Sequence, residues 1–407
     1  MYQSLAILAL FAFAYSLVAE RLGRTAVNGA VVYLAFGVIV GPVGLGWLDL
    51  GLGSEGIRTI AELTLALVLF TDASNANLAV LRQTVRLPRR LLLVGLPLTI
   101  LLGVGVGALL FPELGLLQVA ILATILAPTD AALGKAVVSN PAVPDPVRQG
   151  LNVESGLNDG ICVPILFTFL ALATQSGAEG STGALALRLL AEEIGIGAGI
   201  GIGLAFAGAR GLRAAARRGW LVPGPWARIP VVALAFASFA LAQFAGGSGF
   251  IACFIGGLVF GALVAPQHKE TILERAEGSS EVLALVTWVV FGGAVVAQHA
   301  GATDWRVVLY AILSLTVVRM LPVALAVVGL GTRTDTKLFL GWFGPRGLAS
   351  IVFLVIAAQE NLPGSDTLIA VTVATVVLSI VAHGLGANPL AKAFGAREKA
   401  EGAGGSG

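Results

Sequence analysis

Thirteen stretches of this chain are long and apolar enough to be spanning helices, and they leave little sequence between them. A helix needs about 20 mostly apolar residues to cross a bilayer. Such stretches fall at roughly 3–19, 29–46, 57–74, 91–111, 115–138, 145–174, 185–209, 228–245, 247–265, 281–298, 305–330, 336–360 and 365–387. In lipid every backbone polar group must be satisfied within the protein, so repeated stretches of this length can only be helices. Only 12% of the 407 residues are charged, against about 25% in soluble domains. The 53 glycines suit the same solvent, because glycine lets membrane helices approach closely. The expected fold class is an all-α polytopic membrane protein with thirteen transmembrane helices.

The connections test that count, since Lys and Arg concentrate on the cytoplasmic side. Odd-numbered connections carry Arg21 and Arg24; Arg82, Arg86, Arg89 and Arg90; Lys135 and Arg148; Arg210, Arg213, Arg217, Arg218 and Arg228; Lys269 and Arg275; Arg333 and Lys337. With Lys392, Arg397 and Lys399 in the tail, these are 20 of the 25 basic residues. Even-numbered connections have only Arg58, Arg188 and Arg306. A miscounted span would scramble the alternation. It places the N-terminus outside and the C-terminus in the cytoplasm, in a cell inner (plasma) membrane.

A net charge of +2 points to no nucleic acid. Cys162 and Cys253 lie in apolar runs and read as small buried residues, not as a disulfide or metal pair. His268, His299 and His383 fall at span ends and read as interfacial. Met1 to Val18 lacks the basic start and small-residue cleavage site of a signal peptide. One transporter domain is expected over 1–395, with no soluble domain added. Residues 396–407 are expected as a flexible tail or linker.

Ionisable residues deep in a span cost several kcal/mol and are functional candidates. Asp130 falls in the fifth span, Glu154 and Asp159 in the sixth, Arg319 in the eleventh and Arg346 in the twelfth. Asp72 lies near the inner end of the third, within "LFTDASNAN". Residues four apart share a helix face, so Ser155 lies beside Asp159 and Glu154 beside Asn158. A structural ion pair suffices for Glu154, with Arg319 or Arg346 as partner. Two arginines cannot neutralise three carboxylates, which leaves an acid, best assigned to Asp159, to bind a proton or a cation.

The fifth span contains "LAPTDAALG", whose Pro128 removes a backbone hydrogen bond. The twelfth contains "WFGPRGLAS", a second break seven spans later. Broken helices expose carbonyls and half-helix ends that bind ions, and matched breaks in two halves of a chain point to a transporter site. The spacing suggests an inverted repeat of spans 1–6 and 8–13, at about 1–175 and 228–390, with a connector helix at about 185–209. Broken helices 5 and 12 would cross at mid-membrane. Two coincidental kinks are the plain alternative.

"APTDAALGKAVV", followed by "ESGLNDG", resembles the cation:proton antiporter superfamily, and within it the NhaP-type sodium/proton antiporters, relatives of the animal sodium/proton exchangers. "VVRMLPV" and "GPRGLAS" resemble that family's late arginine segments. The resemblance implies that Asp159 is the central cation and proton carboxylate, with Asp130 and Thr129 opposite it and Ser155 as an oxygen ligand. Asn158 stands where electrogenic relatives have a second Asp. Glu154 would pair structurally with Arg319, Arg346 would offset charge where the broken helices cross, and Asp72 would be an acid of the cytoplasmic funnel. A homodimer is implied too.

A desolvated carboxylate holds its proton more tightly, and a nearby cation displaces it. Competition at one acid, seen alternately from each side, is sufficient for antiport. An amide releases no proton, so Asn158 limits exchange to one proton per monovalent cation, an electroneutral cycle. Na⁺, with Li⁺ possible, is the expected transported ion; K⁺/H⁺ exchange is the alternative. No cofactor or enzyme chemistry is expected. A cation channel and an intramembrane aspartyl protease built on Asp130 and Asp159 are more distant alternatives.

Overall fold

The computed structural model describes residues 2–23, 25, 28–48, 55–75, 86–130, 133–138, 140–175, 183–220, 226, 229–264, 266–296, 304–360 and 362–404. Arg24, Arg82, Arg228 and His299 lie outside these residues. Among the described residues the chain is helical, with no strand. Each apolar stretch falls on one helix or on a helix with an interruption. The elements are α1 (Tyr2–Gly23), α2 (Gly29–Val40), α3 (Glu55–Asn75) and α4 (Arg86–Leu110). An interrupted pair follows, α5a (Leu116–Ile125) and α5b (Lys135–Val138), then α6 (Asp145–Gln175), α7 (Gly183–Arg217), α8 (Ile229–Phe244) and α9 (Gly249–Leu263). The chain closes with α10 (Pro266–Phe291), α11 (Trp305–Ala326), the pair α12a (Thr334–Trp342) and α12b (Leu348–Gln359), and α13 (Ser365–Gly404). Among the described residues, seven helices are long and apolar enough to cross a membrane; they lie in α1, α4, α6, α7, α10 with the turn that continues it to Val296, α11 and α13. Shorter apolar helices, among them α5a and α12b, complete the bundle.

Contacts between helix ends follow the charge alternation. Arg90 at the start of α4 donates to the carbonyls of Ala326 (3.3 Å) and Val328 at the end of α11. Arg213 late in α7 donates to the Leu263 carbonyl at the end of α9. Cations at helix C-termini also complement the helix dipole. Asn75 ending α3 donates at 3.0 Å to Glu277 of α10, four residues before the tenth apolar stretch begins. Arg58, at the other end of α3, donates to Gln359 closing α12b at 2.6 Å. None of these contacts joins an end expected inside to one expected outside.

Helices α2, α3 and α7 to α10 pack largely among themselves, as do α4, α5a, α6 and α11 to α13. The two groups meet where α6 touches α3, α7 and α9, where α12b touches α3 and α10, and where α13 touches α2. Close approach uses glycine: a Cβ at Gly257 of α9 would lie 2.5 Å from the Phe70 carbonyl of α3. Three features differ from the sequence expectations. The helix α13 runs on to Gly404, so the segment from 396, expected as a flexible tail, continues the helix that far; Ala, Lys, Glu and Arg there are good helix formers. The eleventh stretch is interrupted at Thr316 (φ −111°, ψ −91°), one turn before Arg319. His383 is not interfacial: it is buried, because α13 continues beyond it and packs against the second break.

Candidate ion-binding site at two facing helix breaks

The two breaks face each other, and each supplies what the other lacks. α5a ends at Ile125, and residues 126–130 are not helical. The last carbonyls of a helix have no partner within it. Here Ser350 of α12b donates to the Ile125 carbonyl at 2.7 Å, and Arg346 donates to the carbonyls of Ala127 and Pro128. The opposite need arises at the start of α12b, where N–H groups are exposed. Asp130 Oδ2 accepts from Leu348 N there at 3.0 Å. Its Oδ1 accepts from Leu133 N in the first break at 3.2 Å. The backbone N–H of Asp130 donates to Pro345 O at 2.8 Å, which ties the two breaks together.

An acid therefore sits at the positive end of one half-helix and an arginine at the negative end of the other, the arrangement that the helix dipole favours. The glycines of "GPRG" make room for it. A Cβ at Gly347 would collide with the Asp130 carboxylate, and one at Gly344 would collide with the Arg319 guanidinium.

α6 carries its polar "ESGLND" stretch past this crossing. Glu154 and Arg319 form a two-pronged ion pair at 2.6 and 2.8 Å, each side chain 1% exposed. Of the two partners open to Glu154 in the sequence, the structure selects Arg319, because Arg346 is directed at the α5a carbonyls. Thr129, in the first break, shares a 2.9 Å hydrogen bond with Ser155, and its hydroxyl accepts from Asn158 Nδ2 at 2.7 Å. Asn158 Oδ1 and Asp159 Oδ1 are buried and have no hydrogen-bond partner among the described residues. Burying such an oxygen unpaired costs free energy unless a ligand satisfies it.

Asp72 lies where α3 crosses α6, beside Gly156. The structure thus gathers Thr129, Ser155, Asn158 and Asp159 into one oxygen-rich group. It sets Asp130 and Arg346 at the helix ends and Glu154 with Arg319 in a separate pair. Sequence reasoning missed the parts played by Ser350 and His383. Their only signal was a polar residue inside an apolar helix, which many structural residues share.

Comparison with known proteins bears on the fold and the family. Residues 6–393 match the family profile "Sodium/hydrogen exchanger, transmembrane". The chain is 24% identical over 394 residues to the K⁺/H⁺ antiporter NhaP of Alkalimonas amylolytica, covering 95% of this chain and 65% of that protein. It is 24% identical over 313 residues to the Na⁺/H⁺ antiporter NhaG of Bacillus atrophaeus, covering 74% and 57%. The fold is similar to that of the sodium proton antiporter MjNhaP1 of Methanocaldococcus jannaschii, with a TM-score of 0.77, 20% identity, and coverage of 94% and 98%. Fold and site together define a multi-pass helical membrane protein with facing helix breaks. The chain belongs to the sodium/hydrogen exchanger family. It spans 57% to 65% of the length of those two curated relatives.

Proposed function

We propose that the protein exchanges a monovalent cation for a proton across the membrane, by competition at Asp159. The observation that carries this reading is the pair of buried, unpartnered oxygens on Asn158 and Asp159 beside the Thr129–Ser155 hydroxyl pair. Oxygen donors around one carboxylate suit a hard cation, and the same carboxylate takes a proton when the cation leaves. Asp130 is engaged at two backbone N–H groups, and Glu154 is held by Arg319. Of the three acids expected at mid-membrane, that leaves Asp159 as the one that exchanges, and supports an electroneutral one-for-one cycle.

The cation is Na⁺ in this reading, with Li⁺ accepted. K⁺ is the second reading, favoured by the name of the Alkalimonas relative. Thirteen spans, an inverted repeat, an outside N-terminus, a plasma-membrane location and a homodimer belong to the same proposal. The contacts between helix ends support the alternation of spans.

Proton flux in proteoliposomes, driven in turn by Na⁺, Li⁺ and K⁺ gradients, tests it. The expected result is flux with at least one cation, unchanged when a membrane potential is imposed. Flux that follows the potential without an electrical leak overturns the stoichiometry. Absence of flux with all three cations overturns antiport.

A further inference from the structure

The second break leaves backbone groups outside regular helical bonding, and α13 reaches both sides of it. Trp342 O, the last carbonyl of α12a, accepts from Gly344 N within the break and lies 2.8 Å from His383 Nε2. Arg346 N, beyond the break, donates to Ser379 Oγ at 2.7 Å. Ser379 and His383 are one turn apart on α13, and Ser379 Oγ lies 3.3 Å from His383 Nδ1. All three side chains, Arg346, Ser379 and His383, are at most 1% exposed.

Chemistry assigns the directions at the two ends. A carbonyl only accepts, so Nε2 carries a ring proton. Nδ1 also lies 2.9 Å from Ser379 O, the carbonyl one turn back in its own helix. Nδ1 faces the Ser379 hydroxyl and carbonyl together. Ser379 Oγ accepts from the Arg346 N–H. The result is one connected chain: Arg346 N–H to Ser379, Ser379 beside His383, and His383 to Trp342 O. It bridges the whole non-helical segment 343–347. The imidazole also lies against the Trp342 indole, with ring centroids 5.2 Å apart.

We propose that Ser379 and His383 are a positioning pair for the ion site, an inference that rests on the antiport reading. They hold the unwound segment so that Arg346 reaches the Ala127 and Pro128 carbonyls, immediately before Thr129. Thr129 in turn holds Ser155 and Asn158. Neither member of the pair touches the cation. Loosening the segment therefore weakens cation binding without removing an ion ligand.

The test measures proton flux in proteoliposomes against Na⁺, Li⁺ and K⁺ concentration, together with the cation-dependent rise in melting temperature of the purified protein. A ligand that binds only the folded state raises that temperature, so binding is read without transport. Ser379→Ala and His383→Leu are expected to raise the half-saturating cation concentration about tenfold, the effect of one lost buried hydrogen bond, with a smaller loss of maximal rate. His383→Gln, whose amide nitrogen can stand at Nε2, is expected to restore most of the affinity. The double variant Ser379→Ala/His383→Leu should be little worse than either single one. Unchanged affinity in Ser379→Ala and His383→Leu overturns the inference, as does His383→Gln no better than His383→Leu. Should His383→Leu fail to fold, Ser379→Ala and His383→Gln decide. Wild-type protein without flux or thermal response overturns the antiport reading instead.

Discussion

Glu154 and Asp159 stand five residues apart on α6, both buried, and their surroundings are opposite. Glu154 has both carboxylate oxygens on Arg319. Asp159 has an oxygen with no partner among the described residues, next to an amide oxygen in the same condition. A buried charge that is fully paired is committed to one arrangement. A buried carboxylate that is not paired can change its occupant, because proton and cation each relieve the same unmet need. In the proposed reading, the difference separates architecture from exchange within two turns of one helix.

The largest expected effect breaks the exchanging side. Asp159→Asn should reduce cation-driven proton flux to the level of empty liposomes while the protein still folds. Cation-dependent flux surviving in that variant would remove Asp159 from the mechanism.

The next breaks the paired side. Glu154→Ala strands a buried arginine, at a cost of about 3–5 kcal/mol. Low yield and a lowered melting temperature are expected, more than altered cation affinity. Replacing both partners with leucine should recover much of that stability, since matched removal of a buried pair is often close to neutral. A stable Glu154→Ala protein with weakened cation binding would reverse the assignment of roles.

The smallest sharpens the boundary between the two. Thr129→Val removes the hydroxyl that Asn158 and Ser155 share, leaving a buried amide donor unpaired at about 1–3 kcal/mol. The half-saturating cation concentration should rise by about tenfold or more. No change would mean that the hydroxyl pair only packs the break.

Much of this arrangement was legible in the residues. Pro128 and Pro345 mark the breaks, since proline cannot supply a helical N–H. The "ESGLND" stretch marks the polar face of α6. The choice between Arg319 and Arg346 for Glu154 was not legible in residue chemistry alone, although the family resemblance implied Arg319. Both are arginines inside apolar stretches, and only the way α11 and the second break pack beside α6 decides between them. The interruption at Thr316 has no glycine or proline within it to announce it. His383 read as interfacial because the end of its apolar stretch resembles the end of a span, while the helix itself continues.

The sequence by itself determined the solvent, the helices, the breaks and the identity of the acids. Hydrophobic length and the lack of a proline N–H are local properties, readable residue by residue. The tertiary structure decided which charge meets which. Asp130 is engaged at a helix end, Arg346 at another, and Glu154 with Arg319, through contacts between residues up to 219 positions apart. Pairing at that separation depends on how helices cross, and no local pattern encodes it.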